Sequence, residues 1–397
     1  MNKTPVANRV CIGFFGKRNS GKSSLVNAVS GQSLSVVSDV AGTTTDPVSK
    51  TMELLPVGPV LLVDTAGIDD EGALGQMRVE KTYQTMRKTD VAVLVVDGQQ
   101  DISEEERRLA QQLQEQKIPF LVAVNKMENL PQERRLEWQE FCKEQPHVFV
   151  SAREMIGIEE LKVSIGQLAK EEKKENPLVS DLVEEGDFVI LVTPIDSAAP
   201  KGRLILPQQQ TIRDLLDAGA MTMVVQPQQL PKALASLQKK PKLVITDSQA
   251  FGSVSKMVPE DILLTSFSVL FARYKGILWE AVEGAQMLDR LQDGDRVLIS
   301  EGCTHHRQCG DIGTEKLPAW ILKHTGKEIR FVWTSGTEFP SDLSGYRLVI
   351  HCGGCMLNEK EMSYRSMTAR SQNVPMTNYG TAIAHMNGIL ERSIKFK

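Results

Sequence analysis

Arg9–Ser24 reads RVCIGFFGKRNSGKSS, an apolar run, then Gly16-x-x-x-x-Gly21-Lys22-Ser23, then the helical pattern SSLVNAVSG that begins at Ser23. A strand, a glycine-bounded loop and a helix in that order predict the start of an α/β domain that binds phosphate. The glycines let consecutive backbone N–H groups curl around phosphate oxygens at a helix N-terminus, where the dipole favours negative charge. Lys22 is placed to reach the β- and γ-phosphates, and the Ser23 hydroxyl to ligate Mg²⁺. Gly16, Asn19, Ser20, Gly21, Lys22, Ser23 and Ser24 form the predicted nucleotide-binding stretch. Four fixed positions of these types would match by accident in such a chain about 1% of the time.

Downstream, Asp64-Thr65-Ala66-Gly67 follows the apolar run PVLLV. A carboxylate at a strand end orients the Mg²⁺ shell, and Gly67 senses the γ-phosphate. Asn125-Lys126-Met127-Glu128 follows FLVAV, and Ser151-Ala152 follows HVFV. The series resembles the guanine-reading elements of GTPases, in which a carboxylate accepts from N1–H and the 2-amino group, donors that adenine does not present there. The family residue is Asp; Glu128 is one methylene longer, which moves the carboxylate outward and loosens the expected base discrimination. Taken alone, Asn125 reads equally as a loop cap.

Between these elements, Gly42-Thr43-Thr44-Thr45-Asp46 resembles the switch segment of tRNA-modification and ribosome-assembly GTPases. By that resemblance Thr44 joins Ser23 and Asp64 around Mg²⁺ only when a γ-phosphate is present, an order–disorder switch. Lys22, Thr44, Asp64 and Gly67 are then the expected catalytic set. Ile68 follows Gly67, where Ras-like proteins carry a water-orienting glutamine, so intrinsic hydrolysis is expected to be slow. In related GTPases an asparagine at the place of Asn19 helps hold K⁺, which substitutes for an arginine finger; a plain turn residue is the alternative.

At 397 residues the chain suggests two or three domains. Lys plus Arg number 46 against 50 Asp plus Glu, a net charge of -4, which argues against nucleic acid as main partner. The opening MNKTPVANRV has no long apolar segment with a cleavage site, and no apolar run reaches membrane-spanning length, so a cytoplasmic location is expected. There thiols stay reduced, and clustered cysteines read as metal ligands or redox groups before disulfides. Cys11 and Cys142 sit among apolar neighbours and read as buried.

Strand-like runs alternate with helical patterns to the end of the chain, predicting an α/β protein with mostly parallel sheets. Three α/β domains are expected: a P-loop domain over 1–170, a small-sheet domain over 178–267, and a Rossmann-like domain over 268–397 that holds the clustered cysteines. The charged stretch Lys170–Asn176 reads as a linker. The second domain shows three strand candidates, FVILV, MTMVV and KLVITD, separated by two helical stretches; so small a sheet is expected to complete its burial in another subunit. A long amphipathic segment from Ser268 through Leu291 leads into RVLIS, EIRFVW and RLVIHC.

Four of the six cysteines lie in that last part, as Cys303-Thr304-His305, Cys309 and His351-Cys352-Gly353-Gly354-Cys355. Cys-x-x-Cys with glycines between is a compact chelate, and Cys303 with the histidines gives a donor set soft enough for iron–sulfur or zinc. Cys303 and Cys352 both follow predicted strands, whose carboxyl ends are where α/β sheets hold ligands. Three cysteines on a four-iron cluster leave one iron with an exchangeable ligand: His305 and His351 are the first candidates, with Cys309, Glu301 and Asp311 behind them. His306 ranks below these, and His147, His324 and His385 read as ordinary. A closed structural zinc site of three Cys and one His is the alternative.

With Gly42-Thr43-Thr44-Thr45-Asp46-Pro47, the Cys303-x-His305 and His351-Cys352-x-x-Cys355 pattern, Pro200-Lys201-Gly202-Arg203 and Pro375-Met376-Thr377-Asn378-Tyr379-Gly380, the whole chain resembles the FeFe-hydrogenase maturation GTPases. The resemblance implies a homodimer using GTP/GDP with Mg²⁺, with 178–267 as dimerisation domain and 268–397 as iron–sulfur cluster-binding domain, a 4Fe-4S cluster on Cys303, Cys352 and Cys355, and a di-iron precursor carried transiently to apo-FeFe-hydrogenase. Radical-SAM maturases are the implied upstream partners. The competing reading is a regulatory or RNA-modification GTPase with a structural zinc domain, which the acidic balance opposes.

Overall fold

The computed structural model describes residues 9–31, 47–55, 57–69, 72–172, 176–195, 204–302, 311–336 and 338–396. Thr44 and the rest of the switch segment, Pro200–Arg203, Cys303, His305, His306 and Cys309 therefore lie outside the described residues. The chain forms two compact units, 1–174 and 175–397.

The first unit is built on β1 (Val10–Phe15), β2 (Val48–Leu54), β3 (Gly58–Asp64), β4 (Val91–Asp97), β5 (Phe120–Asn125) and β6 (His147–Phe149). They lie in the order β2-β3-β1-β4-β5-β6, all parallel except the edge strand β2, which runs antiparallel to β3. The parallel strands read as unbroken apolar runs because both faces are covered. Leu25 and Val29 of the helix Lys22–Ser30, with Leu161 and Ile165 of the helix Ile158–Glu172, pack one face against Ile12, Phe14, Val93 and Leu121. Met86, Leu109, Leu113 and Trp138 pack the other against Phe15, Leu94 and Val122. Cys11 and Cys142 are buried as expected. The strand β2 was not anticipated: VSKTMEL is mostly polar and largely exposed, so it carries no apolar run to read. Lys170 continues the helix Ile158–Glu172, so the charged stretch begins as helix and not as linker.

The second unit holds two four-stranded, wholly parallel sheets. One contains β7 (Phe188–Val192), β8 (Met221–Val225), β9 (Leu243–Thr246) and β10 (Leu263–Ser266) in the order β10-β9-β7-β8. The other contains β11 (Arg296–Glu301), β12 (Arg330–Ser335), β13 (Leu348–His351) and β14 (Met376–Asn378) in the order β12-β11-β13-β14. The first sheet thus has four strands where three were expected. Four residues of β10 feed directly into a helix, too short a run to stand out from it. The long amphipathic segment is also broken, into helices Phe267–Tyr274 and Leu278–Ala285 and the 3₁₀ turn Gln286–Arg290. Gly276, at φ +70, breaks the first two apart. Helix Phe267–Tyr274 serves both sheets: Phe267, Leu270 and Phe271 pack against the first, Val269 and Ala272 against the second.

Candidate functional sites

Parallel order delivers four chain ends to one edge of the first sheet, and these carry the predicted nucleotide residues. Gly16 leaves β1 at φ +150, and a Cβ there would sit 2.2 Å from the Val95 carbonyl oxygen. Gly21, at φ +93, opens the helix Lys22–Ser30, and a Cβ there would meet Asn125 Nδ2 at 2.2 Å. Only glycine fits either turn. Lys22 is buried, its Nζ donating to the carbonyls of Gly16 at 3.1 Å and Lys17 at 2.7 Å, so the ammonium is held across the loop. The Ser23 hydroxyl donates to Asp64 Oδ2 at 2.5 Å, bringing the two described Mg²⁺ candidates together. Burial pushes the Asp64 carboxyl up, opposed by the Ser23 hydrogen bond and the Lys22 charge. Its Oδ1 has no hydrogen-bond partner among the described residues, which leaves those lone pairs to an ion.

Gly67 packs against the loop as well: a Cβ would lie 2.7 Å from Arg18 N, whose N–H donates to Asp69 Oδ1 at 2.6 Å. Asp69 is a loop-positioning residue that sequence reading missed. Ile68, partly buried, packs against the apolar cluster that includes Phe15. Asn19 is exposed and takes φ +60.

The base-reading loops meet the phosphate loop through Asn125. Its Nδ2 donates to the Ser20 carbonyl at 3.0 Å, and its Oδ1 accepts from Ala152 N at 3.1 Å, so one buried amide joins three loops. The loop-cap role of Asn125 is thus present in the structure. Lys126, at φ +65, pairs with Asp97 Oδ2 at 2.6 Å. A hydrogen bond from Ser151 holds the Glu128 carboxyl below its ordinary value, while Glu128 Oε2 has no hydrogen-bond partner among the described residues. Ser24 is exposed at the start of the helix.

In the second unit, β11 and β13 run side by side with Ser300 opposite His351, so their carboxyl ends present Glu301-Gly302 next to Cys352-Gly353-Gly354-Cys355. Cys352 Sγ accepts from Gly302 N at 3.0 Å and from Gly354 N at 3.4 Å. Cys303 follows Gly302 in sequence and lies outside the described residues. Gly354 takes φ +61, and a Cβ would lie 2.7 Å from Met362 Sδ. Lys275, missed from the sequence, is buried behind the loop and donates to the carbonyls of Gly354 and, at 2.7 Å, Leu357. Burial pulls the Lys275 ammonium down to about 8, against the pull of Cys355 and Cys352. Burial likewise pushes both thiols up.

Two expected ligands do not fit the role. His351 is wholly buried: its Nδ1 lies 2.7 Å from the Cys352 carbonyl, and its Nε2 lies 2.9 Å from Arg365 Nη1. Guanidinium only donates, so Nε2 accepts, Nδ1 carries the proton, and neither nitrogen is left for a metal. Asp311 Oδ2 accepts from Thr314 N and Thr314 Oγ1, both at 2.9 Å, and so caps the helical turn Ile312–Lys316. Glu301 is buried, and Tyr379 OH donates to its Oε1 at 3.3 Å.

Fold and site together define a P-loop GTPase joined to two further parallel α/β sheets. Residues 11–126 match the 50S ribosome-binding GTPase domain, 178–276 the Hydrogen maturase F dimerization domain, and 279–396 the Hydrogen maturase F tetramerization domain. The chain belongs to the hydrogen maturase F family. Its first unit is similar to GTPase Der of Nitratidesulfovibrio vulgaris, 36% identical over 36% of this chain and 31% of that one. It is also similar to tRNA modification GTPase MnmE of Acetivibrio thermocellus, 30% identical over 38% of this chain and 33% of that one. GTPase Der of Wolinella succinogenes is 38% identical over 35% of this chain and 29% of that one. The chain thus spans about a third of the length of these relatives. Among the described residues no helix is long and apolar enough to cross a membrane.

Proposed function

We propose that the chain is a cytoplasmic GTP-hydrolysing scaffold that holds a 4Fe-4S cluster on Cys303, Cys352 and Cys355, carries a di-iron precursor and delivers it to apo-FeFe-hydrogenase. The observation that carries the reading is the pair of backbone N–H groups, of Gly302 and Gly354, aimed at Cys352 Sγ. Hydrogen bonds to sulfur are one of the levers by which proteins hold and tune such clusters. The donor set fits: Cys352 and Cys355 lie on one loop with two glycines between them, Cys303 follows Gly302 in sequence, and the Lys275 ammonium offsets thiolate charge. The cluster supplies an iron with an exchangeable position that can anchor and release a second metal fragment. Glu301, buried beside Cys352, replaces His351 as the described side chain best placed to reach that position.

In the first unit, Lys22, Thr44, Asp64 and Gly67 serve hydrolysis, with Mg²⁺ on Ser23, Thr44 and Asp64. Gly16, Asn19, Ser20, Gly21, Ser24, Asn125, Lys126, Glu128, Ser151 and Ala152 hold the nucleotide, and Asn19 holds K⁺. Radical-SAM maturases load the scaffold, and GTP turnover drives partner exchange. Support for a dimer comes from β8, an edge strand that exposes Met221 and Val224. The test is anaerobic reconstitution of full-length wild type and Cys352→Ser with iron and sulfide analysis and EPR. About four irons per chain and a reduced-cluster signal lost in the variant are expected. A colourless, zinc-loaded protein would replace the scaffold reading with the zinc-domain GTPase.

A further inference from the structure

Asp289, His324 and His385 come from three separate elements of the second unit and converge at one point. Asp289 lies in the turn Gln286–Arg290, His324 in the last turn of the helix Leu317–Thr325, and His385 in the last turn of the helix Tyr379–Met386. His324 Nε2 lies 2.7 Å from Asp289 Oδ1, and His385 Nε2 lies 2.9 Å from Asp289 Oδ2. One ligand atom from each lies within 4.8 Å of the others. An ion about 2.0–2.2 Å from each donor therefore needs only small side-chain rotations. The two histidine side chains are 26% and 18% exposed and the carboxylate 54%, so the donors have a protein floor and an open face for water.

We propose that Asp289, His324 and His385 form a second metal site, for a divalent first-row ion of the zinc type. Two imidazoles and one carboxylate suit such an ion, whereas Mg²⁺ and Ca²⁺ want more oxygen ligands. The helices Leu317–Thr325 and Tyr379–Met386 both end at this point, and the negative ends of their dipoles favour a cation there. A chance surface pair of His and Asp needs neither the second imidazole nor the second helix end.

The site is distinct from the cysteine loop. The helix Tyr379–Met386 begins with Tyr379, whose hydroxyl touches Glu301 beside Cys352, and ends one residue past His385. Eight residues at 1.5 Å each make a span of roughly 12 Å. The helix Leu317–Thr325 continues from the turn Ile312–Lys316, where a Cβ on Gly313 would lie 2.2 Å from Tyr379 OH and 2.5 Å from Glu301 Oε1, and it leads to His324. An ion bound to the three side chains clamps the far ends of two helices whose near ends flank the cysteine site. Its role is structural.

Equilibrium dialysis of untagged full-length chain against Zn²⁺, with the cysteine site either cluster-loaded or removed by Cys352→Ser, tests this. One zinc per chain beyond the cysteine site is expected, with a rise in Tm. His324→Gln and His385→Gln should each weaken it by more than about tenfold. Asp289→Asn, which can still hydrogen-bond both rings, should lose the ion while keeping the fold by circular dichroism. Co²⁺ in the same protein should give visible d–d bands without thiolate charge transfer. No zinc beyond the cysteines, or zinc uptake equal in wild type and all three variants, would overturn the proposal.

Discussion

Arg365 Nη1 donates to His351 Nε2 across 2.9 Å, and both side chains are wholly buried. Burial first, then the Arg365 and Lys275 charges, drives the histidine down to about 3, so it stays neutral. Its lone pair belongs to the guanidinium and its proton to the Cys352 carbonyl. We expect His351→Ala to retain wild-type iron after anaerobic reconstitution while losing about 1–3 kcal/mol of stability. Iron analysis beside urea unfolding separates the two effects, and loss of iron from a folded variant would restore the histidine as a ligand.

Arg365 also pairs with Glu361 Oε1 at 2.9 Å, donates to the Gly336 carbonyl at 2.8 Å and to Ser300 Oγ at 3.2 Å. The guanidinium is thus a buried post beneath the strand ends that carry the cysteine loops. Removing one partner of a buried ion pair leaves a charge without compensation and typically costs about 3–5 kcal/mol. Glu361→Gln should lower the urea midpoint accordingly, with an unchanged slope. A shift within error of zero would mean the pair contributes nothing.

Asn125 closes the nucleotide site by bonding Ser20 and Ala152 at once. Asn125→Ala removes both contacts at about 1 kcal/mol each, so GDP affinity should fall about 30-fold or more. Gly21→Ala should abolish binding, because its Cβ has no room against Asn125 and the backbone is left-handed. Fluorescent-nucleotide titration reads both; near-normal affinity in Gly21→Ala would contradict the packing.

Motifs whose chemistry needs fixed spacing were legible. The phosphate loop, Asp64, and Asn125 to Ala152 all fall at the carboxyl ends of parallel strands, where alternating apolar runs put them. What stayed hidden was contributed by single residues from distant elements. Lys275 sits in an unremarkable RYKG, and its contact with Gly354 depends on how the helix Phe267–Tyr274 meets the second sheet. Arg365 looks like one more charge on a polar helix. Nothing local marks it as the largest buried cation among the described residues. His351 misled for the same reason, since softness and proximity to Cys352 are visible in sequence and the guanidinium behind it is not. The strands β2, β10 and β14 were missed because short or polar runs carry too little periodicity.

Edge strand β8 places Met221 and Val224 on the surface at 45% and 43% exposure. An exposed apolar edge is a template for pairing unless a charge blunts it. Val224→Lys should therefore convert the assembly toward monomer in light scattering while leaving GTP hydrolysis intact. An unchanged mass would move the dimer contact elsewhere.

Glu128 Oε2 has no hydrogen-bond partner among the described residues, and the Ser151 hydroxyl beside it holds the carboxyl below its ordinary value. An acceptor-only group there matches the N1–H and 2-amino donors of guanine. Gln in its place offers one acceptor and one donor, which mismatches the 2-amino group but complements a carbonyl at the same ring position. Glu128→Gln should thus lose GDP affinity by about tenfold or more and gain xanthosine diphosphate, since one mismatched polar contact costs about 1–3 kcal/mol. Glu128→Asp should bind GDP at least as well as wild type and reject adenine nucleotides more strongly. Competition titration with the three diphosphates checks both variants. Equal affinities across bases in wild type and Glu128→Gln would show that this carboxylate does not touch the base.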